Sequence, residues 1–181
     1  NKPIALVYRS GNAIAPGATA ASASTDTTDF GKVYRGDTAA ERVFTIKNIG
    51  GAPLNVTSIT SSNTNVFEVV NPNPSGITID PGESKAFTIR LKTTTVNEQG
   101  VVAKITILTN ETGGASPYVF DVKGRVTPVN LSFAAQPTAK QASASPYGSV
   151  TVTLVYGDNQ IVTKPIADYS AVGLVLEQVP S

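Results

Sequence analysis

The chain has 181 residues, 40% of them hydrophobic and 15% charged, and it contains no cysteine, histidine, methionine or tryptophan. This length suffices to bury a stable core without disulfides or a structural metal. The composition excludes disulfides, thiolate or imidazole metal ligands, and a histidine acid–base catalyst working near neutral pH.

The charge pattern identifies no class of partner. Lysine and arginine number 14 against 13 aspartate and glutamate, and the basic residues are scattered along the chain. Scattered cations are not typical of a nucleic-acid or membrane-surface site, and no apolar run approaches the roughly 18 residues of a membrane helix. We therefore expect no nucleic-acid partner and no membrane span. The first residue, Asn1, indicates processing after export or excision from a longer chain, and with the Thr-, Ser- and Asn-rich composition it favours an extracellular or cell-surface location.

Alternation of apolar and polar residues dominates the sequence and predicts half-buried antiparallel strands. In ERVFTIKN (41–48), Phe44 and Ile46 would face the core while Lys47 faces solvent. The same rule places Thr88 and Asp121 on the solvent face of their strands. In chain order the predicted strands are 4–9, 30–35, 41–48, 54–60, 66–70, 77–79, 85–92, 101–109, 118–126, 131–133, 149–156, 160–164 and 172–179.

Glycine- and proline-rich pieces separate these strands. In NIGGAPL (48–54), Asn48, Gly50 and Gly51 tolerate positive φ and Pro53 removes a ladder donor, which predicts a reversal between two neighbouring strands. Similar turns are predicted at 71–76, 80–84, 97–100, 110–117 and 156–160. Short strands at this spacing are typical of a β-sandwich or barrel.

Two segments differ in composition from the strands. Residues 10–31 are rich in Ala, Ser and Thr, and we expect an ordered connection that crosses into the main sandwich, with a flexible linker as the alternative. Residues 126–148 mark a boundary, which gives a domain at 1–126 and a C-terminal β extension at 127–181. That extension is short for an independent core, so we expect it to pack on the sandwich or on a neighbouring subunit.

A series of motifs between Ile4 and Val126 resembles a known family. The motifs are GNAIAPG (11–17), TDFGKVYRG (28–36), FTIKNIGGAPL (44–54), VFEV (66–69), ITIDPGESKAFTIRLKTTTVNEQG (77–100), AKITILTNE (103–111) and YVFDVKG (118–124). This order resembles the choice-of-anchor D module of bacterial secreted and surface proteins, which belongs to the immunoglobulin-like group with Hydin-type and PapD-like domains. The resemblance implies an immunoglobulin-like antiparallel β-sandwich and a structural or binding role, and residues after Val126 depart from it.

Two pairs of acidic residues are candidate sites. Asp26 and Asp29 could offer oxygens to calcium, but turn hydrogen bonding before the strand at Phe30 is the favoured interpretation. Asp80 and Glu83 flank a Pro-Gly turn, and we expect the Asp80 side chain to hydrogen-bond the local backbone. We predict no catalytic, cofactor-binding or metal-binding residue and no cofactor, since serine and threonine nucleophiles lack a motif to activate them.

Three further features are candidate sites of cross-linking or binding. Lys47, Lys104 and Lys123 are candidate donors for a Lys–Asn or Lys–Asp isopeptide bond, with ordinary solvent-facing lysines as the favoured interpretation. The C-terminal tyrosines could stack on a glycan or anchor a protein, although capping of the core edge is favoured; they are Tyr147, Tyr156 and Tyr169. IALVYR (4–9) and VGLVLEQV (172–179) could add to a neighbour's sheet, but internal pairing is favoured.

Together these features predict a non-enzymatic extracellular structural or adhesion module, such as a subunit of a bacterial surface fibre or similar assembly. Its partners would be proteins, including copies of itself joined through edge strands, with a glycan as a further option. The alternatives are a carbohydrate- or ligand-binding accessory module of a larger secreted protein, a Hydin-like scaffold domain and a virion decoration protein. Contacts are expected at loops 10–29 and 110–117 and after Val126.

Overall fold

The computed structural model describes residues 1–19, 28–70 and 76–128, together with the backbone of two short strands at 132–133 and 154–155. Within these residues all regular structure is β-strand, so none of it is a helix long and apolar enough to cross a membrane. The all-β prediction is confirmed. The strands are β1 (Ala5–Arg9), β2 (Asn12–Ile14), β3 (Asp29–Tyr34), β4 (Ala40–Asn48), β5 (Leu54–Ser61), β6 (Phe67–Val70), β7 (Ile77–Ile79), β8 (Ser84–Leu91), β9 (Asn97–Thr109), β10 (Tyr118–Thr127), β11 (Ser132–Phe133) and β12 (Leu154–Val155).

The chain divides into two compact units, Asn1–Pro128 and Val129–Ser181. In the second unit β11 and β12 pair antiparallel, with Ser132 opposite Val155. The strands predicted at 160–164 and 172–179 and the three C-terminal tyrosines lie outside the described residues. Packing of this unit on the sandwich or on another subunit stays a prediction.

The first unit is a sandwich of two five-stranded sheets. Sheet A has the order β2-β1-β4-β8-β6 and is antiparallel throughout. Sheet B has the order β3-β10-β9-β5-β7, and its strand β3 runs parallel to β10. Sheet B is therefore mixed, which corrects the expectation of antiparallel pairing throughout.

One continuous core fills the space between the sheets. The predicted inward residues Phe44 and Ile46 are fully buried. The Phe44 ring stacks on Phe87 of sheet A with centroids 5.5 Å apart and meets Phe120 of sheet B at 5.7 Å. Since these rings come from both sheets, the alternation read from the sequence assigns the inner face correctly on the central strands.

Two polar residues predicted to face solvent are buried instead. Thr88 is 7% exposed and Asp121 is 8% exposed. Each of these residues has a neighbouring chain segment on both sides. Thr88 lies between Val43 and Val70 of the adjacent strands. Asp121 lies between Lys104 of β9 and the segment at Ala18. A short side chain in the middle of a sheet is covered by its neighbours even on the outer face.

NIGGAPL joins the two sheets rather than two neighbouring strands. It links β4 in sheet A to β5 in sheet B, so the predicted reversal between neighbours is wrong. Asn48, fully buried, organises the connection. Its amide nitrogen donates to the carbonyls of Ala52 (2.8 Å) and Ile79 (2.9 Å), and its amide oxygen accepts from the backbone N–H of Gly50 (3.0 Å).

The turn predicted at 97–100 is also different from what was expected. Residues Asn97–Thr109 form one long strand, β9, and the glycine at 100 lies inside it. Gly100 has a φ of 80°, which L side chains adopt rarely, so this glycine produces a bulge within the strand rather than a turn.

The connection after β2 crosses from sheet A to sheet B, as expected, but it is shorter than the predicted 10–31, because Asn12–Ile14 form strand β2 and strand β3 begins at Asp29. β2 pairs with β1, and three residues beyond its end the N–H of Gly17 donates to the carbonyl of Val119 on β10 (2.6 Å). Ala18 forms a parallel bridge with Phe120. Residues 20–27 lie outside the described part.

The chain enters the sandwich at one end and leaves it at the opposite end. At the first end the N–H of Gly51 donates to the carbonyl of Lys2 (3.0 Å). At the second end the N–H of Arg35 donates to the carbonyl of Thr127, the last residue of β10 (2.8 Å). Strand β4 runs from just after the second end to the first, and its nine residues span about 30 Å.

Candidate functional site

A groove of about 390 Å³ opens on sheet B where β3, β10 and β9 lie side by side. Pairing irregularities on both sides of β10 create it. From Lys123 to Arg125, β10 advances two residues while β3 advances three, from Asp29 to Lys32. On the other side, β10 advances from Gly124 to Val126 while β9 covers residues 97–101. Bulges of this kind bend strands apart and are common beside binding sites. The groove is lined by Asp29, Gly31, Lys32, Gln99, Gly100, Val101, Val102, Lys123, Gly124 and Arg125.

The charges in the groove are three cations and one carboxylate. Lys123 Nζ lies 3.2 Å from Asp29 Oδ2, so this pair is mutually neutralised. Lys32 Nζ lies 3.0 Å from the Tyr34 hydroxyl and 4.9 Å from the centre of that ring. Arg125 is exposed and takes part in none of the ion pairs among the described residues. The lining therefore carries a net charge of +2, three cations less one carboxylate.

The rest of the lining is small or apolar. Gly31 (φ 72°) and Gly100 (φ 80°) are left-handed, which favours glycine. Together with Gly124 they leave three positions of the wall without side chains. Val102 is 56% exposed and supplies an apolar surface, and the Gln99 amide supplies both a donor and an acceptor. This arrangement can hold a small anionic ligand that also bears neutral polar groups.

Of the two predicted calcium ligands, the structure describes only Asp29. Its Oδ1 accepts from the N–H of Gly31 (2.8 Å), which is the predicted turn hydrogen bond. Asp26 lies outside the described residues. Nowhere in residues 1–19, 28–70 and 76–128 do three or more His, Cys, Asp or Glu side chains gather as for a metal.

The turn at Asp80 and Glu83 forms differently from the prediction. The backbone closes it, because the Glu83 N–H donates to the Asp80 carbonyl (3.0 Å). Gly82, with a φ of 85°, accommodates the reversal. Within the described chain the Asp80 carboxylate makes no hydrogen bond, so the expected bond from this side chain to the local backbone is absent.

Two of the three candidate cross-linking lysines lie beside carboxylates. Lys104 Nζ is 3.1 Å from Asp121 Oδ1, and Lys123 Nζ is 3.2 Å from Asp29 Oδ2. These are ion-pair distances, and the Lys104 side chain is 61% exposed. The contacts join solvent-facing lysines to largely buried carboxylates, and the exposure of these lysines agrees with the interpretation that the sequence favours.

The edge-strand prediction is resolved for one of its two segments. IALVYR supplies β1 (Ala5–Arg9), which lies between β2 and β4 in its own sheet. Residues Ala5–Tyr8 pair with β4 and residues Val7–Arg9 pair with β2, so the favoured internal pairing is observed. The edges of the sandwich are β2 and β6 in sheet A and β3 and β7 in sheet B. VGLVLEQV lies outside the described residues.

The expected contact loop 110–117 is held by internal bonds. Glu111 Oε2 accepts from the N–H of Ala5 in sheet A (3.0 Å), and Oε1 accepts from Ala115 (3.3 Å). The Tyr118 hydroxyl donates to the carbonyl of Ile14 and accepts from the Val7 N–H (3.5 Å). Burial raises the pKa of Tyr118, because a phenolate would lose its hydration there.

The groove was missed by sequence reasoning. The available signals were the cation–Gly–cation run at 123–125 and the glycines at 31 and 100, each read as a turn or strand residue. The pairing of β3, β10 and β9, with its register shifts, brings these residues together. The groove could not be predicted because the sequence does not show which strands pair.

Comparison with known proteins places the fold in a family. The family model for the HYDIN/CFA65/VesB-like Ig-like domain matches residues 22–125, more than half of the chain, so the chain belongs to this family. The described sandwich agrees with that assignment. A comparison with curated protein sequences returned no match.

Solved structures resemble the chain more distantly. A protein of unknown function from Porphyromonas gingivalis W83 is 18% identical, with a TM-score of 0.46, over 68% of this chain and 46% of that chain. The Vibrio cholerae VesB protease is 15% identical, with a TM-score of 0.40, over 71% of this chain and 32% of that one. The CARDB domain of the PF1109 protein from Pyrococcus furiosus is 14% identical, with a TM-score of 0.42, over 70% and 96%. At these identities the likeness concerns the fold alone.

Proposed function

We propose that the chain is a non-enzymatic structural or adhesion module of an exported bacterial protein, such as a subunit of a surface fibre. The main support is the path of the chain, which enters the sandwich beside Lys2 and leaves it after Thr127 at the opposite end. A module with this path can be joined to others in a row. The motifs quoted above support a finer proposal within the family, the choice-of-anchor D type.

Side-chain chemistry in the sandwich supports a structural role. Glu111 binds two backbone N–H groups, and Asp37 Oδ2 accepts from the Tyr34 N–H (3.1 Å). Glu41 Oε1 lies 2.7 Å from Arg90 on the neighbouring strand. These carboxylates fix loops and strand pairs, and none of them lines the groove.

Immunogold labelling of intact native cells with antibody to residues 1–128 tests this proposal. We expect gold on the outer surface and on material sheared from it. Label seen only after permeabilisation would contradict export and favour the intracellular scaffold alternative. Turnover of a glycan, ester or peptide substrate by the purified full chain would contradict the non-enzymatic assignment.

A ligand-binding accessory role is the second candidate, and the groove between β3, β9 and β10 favours it. The cations there are concentrated at one place on the sheet.

A further inference from the structure

We propose that the groove between β3, β9 and β10 binds an acidic oligosaccharide through the carboxylate of a uronic acid residue. The inference rests on the adhesive part of the proposed function and names its ligand class. Three features of the groove carry it: the cations, the mixed polar lining and the fixed backbone.

The cations provide the recognition of charge. Arg125 is exposed and forms none of the ion pairs among the described residues, and its planar guanidinium can donate two parallel hydrogen bonds to one carboxylate. Lys32 lies in the same lining and adds positive potential around it, whereas the charge of Lys123 is balanced by Asp29. Arg125 is thus the primary contact, and Lys32 supports it.

The mixed polar lining distinguishes a saccharide from an acidic peptide. Asp29 and Gln99 share the groove with the cations, and both accept hydrogen bonds from sugar hydroxyls. Glutamate and aspartate side chains carry no hydroxyl donor for these two acceptors when they are ionised. Val102 offers an apolar surface for the C–H face of a sugar ring. The volume of about 390 Å³ lies within the roughly 300–1,000 Å³ typical of small-ligand sites.

The groove is built rather than incidental. Asp29 is held twice, by the Gly31 N–H at 2.8 Å and by Lys123 at 3.2 Å. Gly31 and Gly100 both adopt left-handed φ, and β10 is flanked by bulged pairing on both sides. A site whose acceptor and backbone are already fixed loses little conformational entropy when it binds.

Isothermal titration calorimetry of the full chain with tetragalacturonate tests the inference, with the fully methyl-esterified oligomer as the neutral probe. We expect saturable binding of the acid, no binding of the ester, and at least tenfold weaker binding by Arg125→Glu. Lys85→Glu is the matched control, since Lys85 is exposed on sheet A and its substitution changes the net charge equally. The Lys85→Glu variant should bind tetragalacturonate as tightly as the parent chain does. Melting temperatures of both variants check that they fold.

Four outcomes would overturn the inference: no binding by the parent chain, equal binding of acid and ester, equal weakening by Arg125→Glu and Lys85→Glu, or tighter binding of poly-glutamate than of the uronate. Surface labelling together with absent uronate binding would remove this inference and leave the proposed function standing. Uronate binding by a chain that is found only inside cells would leave this inference standing and contradict the proposed export.

Discussion

The side-chain amide of Asn48, on sheet A, donates a 2.9 Å hydrogen bond to the backbone carbonyl of Ile79, on sheet B. The same amide also binds Ala52 and Gly50 in the connection between the sheets. One buried residue therefore fixes both the path of the connection and the relation of the two sheets at this end.

Substitution Asn48→Ala should strongly destabilise the fold. It leaves the buried carbonyl of Ile79 and the partly buried carbonyl of Ala52 without their donor, and an unsatisfied buried group costs about 1–3 kcal/mol. We expect a loss of about 2–4 kcal/mol in the free energy of unfolding, measured by urea denaturation. The control Asn55→Ala, at an exposed asparagine on β5, should cost under about 1 kcal/mol. Equal losses for the two variants would refute the role of Asn48.

Substitution Gly50→Ala should be costly for a different reason. A Cβ at this position would lie 2.2 Å from the carbonyl oxygen of Lys2 and 2.5 Å from the backbone nitrogen of Ile4. At Gly51 the nearest atoms belong to the side chain of Asn1, at 3.0 Å, and this side chain can move away. Gly50→Ala should therefore lower the melting temperature much more than Gly51→Ala does.

Deletion of residues 1–4 removes the backbone that the new methyl group would strike. In the shortened chain the cost of Gly50→Ala should fall to that of Gly51→Ala. A cost that stays the same after the deletion would show that the effect lies in the turn itself rather than in the contact.

Tyr118→Phe should destabilise the fold at neutral pH, and the loss should shrink in alkali. The hydroxyl joins Ile14 to Val7, so its removal should cost about 1–2 kcal/mol. Burial raises the pKa of Tyr118 above its ordinary value of 10.0, so the unfolded chain releases this proton first. The stability contributed by the protonated phenol is complete below that ordinary value and is lost as pH rises through the folded-state pKa.

Urea denaturation from neutral pH to pH 11 measures the difference in the free energy of unfolding between the parent and Tyr118→Phe. Tyr8→Phe is the control, because Tyr8 is half-buried and makes no side-chain hydrogen bond among the described residues. A gap between the parent and Tyr118→Phe that widens with pH would contradict the assigned direction of the pKa shift.

The intact mass of the purified chain shows whether the two lysine–carboxylate contacts are ion pairs or covalent cross-links. We expect the mass calculated from the sequence, since Lys104–Asp121 and Lys123–Asp29 have the geometry of ion pairs. An isopeptide bond at either pair would release one water molecule. A mass lower by one water, abolished by Lys104→Arg or Lys123→Arg, would show that the cross-link forms.

Sequence periodicity predicted which side chains are inside, because a strand alternates faces whatever its partner is. It therefore placed Phe44 and Ile46 correctly, but it could not show that β4 and β5 belong to different sheets. The parallel pairing of β3 with β10 was missed for the same reason, since it joins residues about ninety positions apart in the chain.

The candidate groove could not be predicted from the sequence for a related reason. Gly100 looked like a turn residue because a left-handed glycine serves turns and bulges equally. Only the register of β9 against β10 shows that it is a bulge, which brings it beside Gly124 and Arg125. Asp29, by contrast, was selected from the sequence as a turn residue, and its bond to Gly31 confirms that assignment.

The opposite positions of Lys2 and Thr127 determine how this sandwich would respond to tension applied between them. Such a force runs along the strands, so the ladder between β1 and β4 and the ladder between β3 and β10 are loaded in shear. Hydrogen bonds loaded in shear share the force and must rupture together, whereas bonds in an unzipping geometry break one after another. The module is therefore oriented to resist extension.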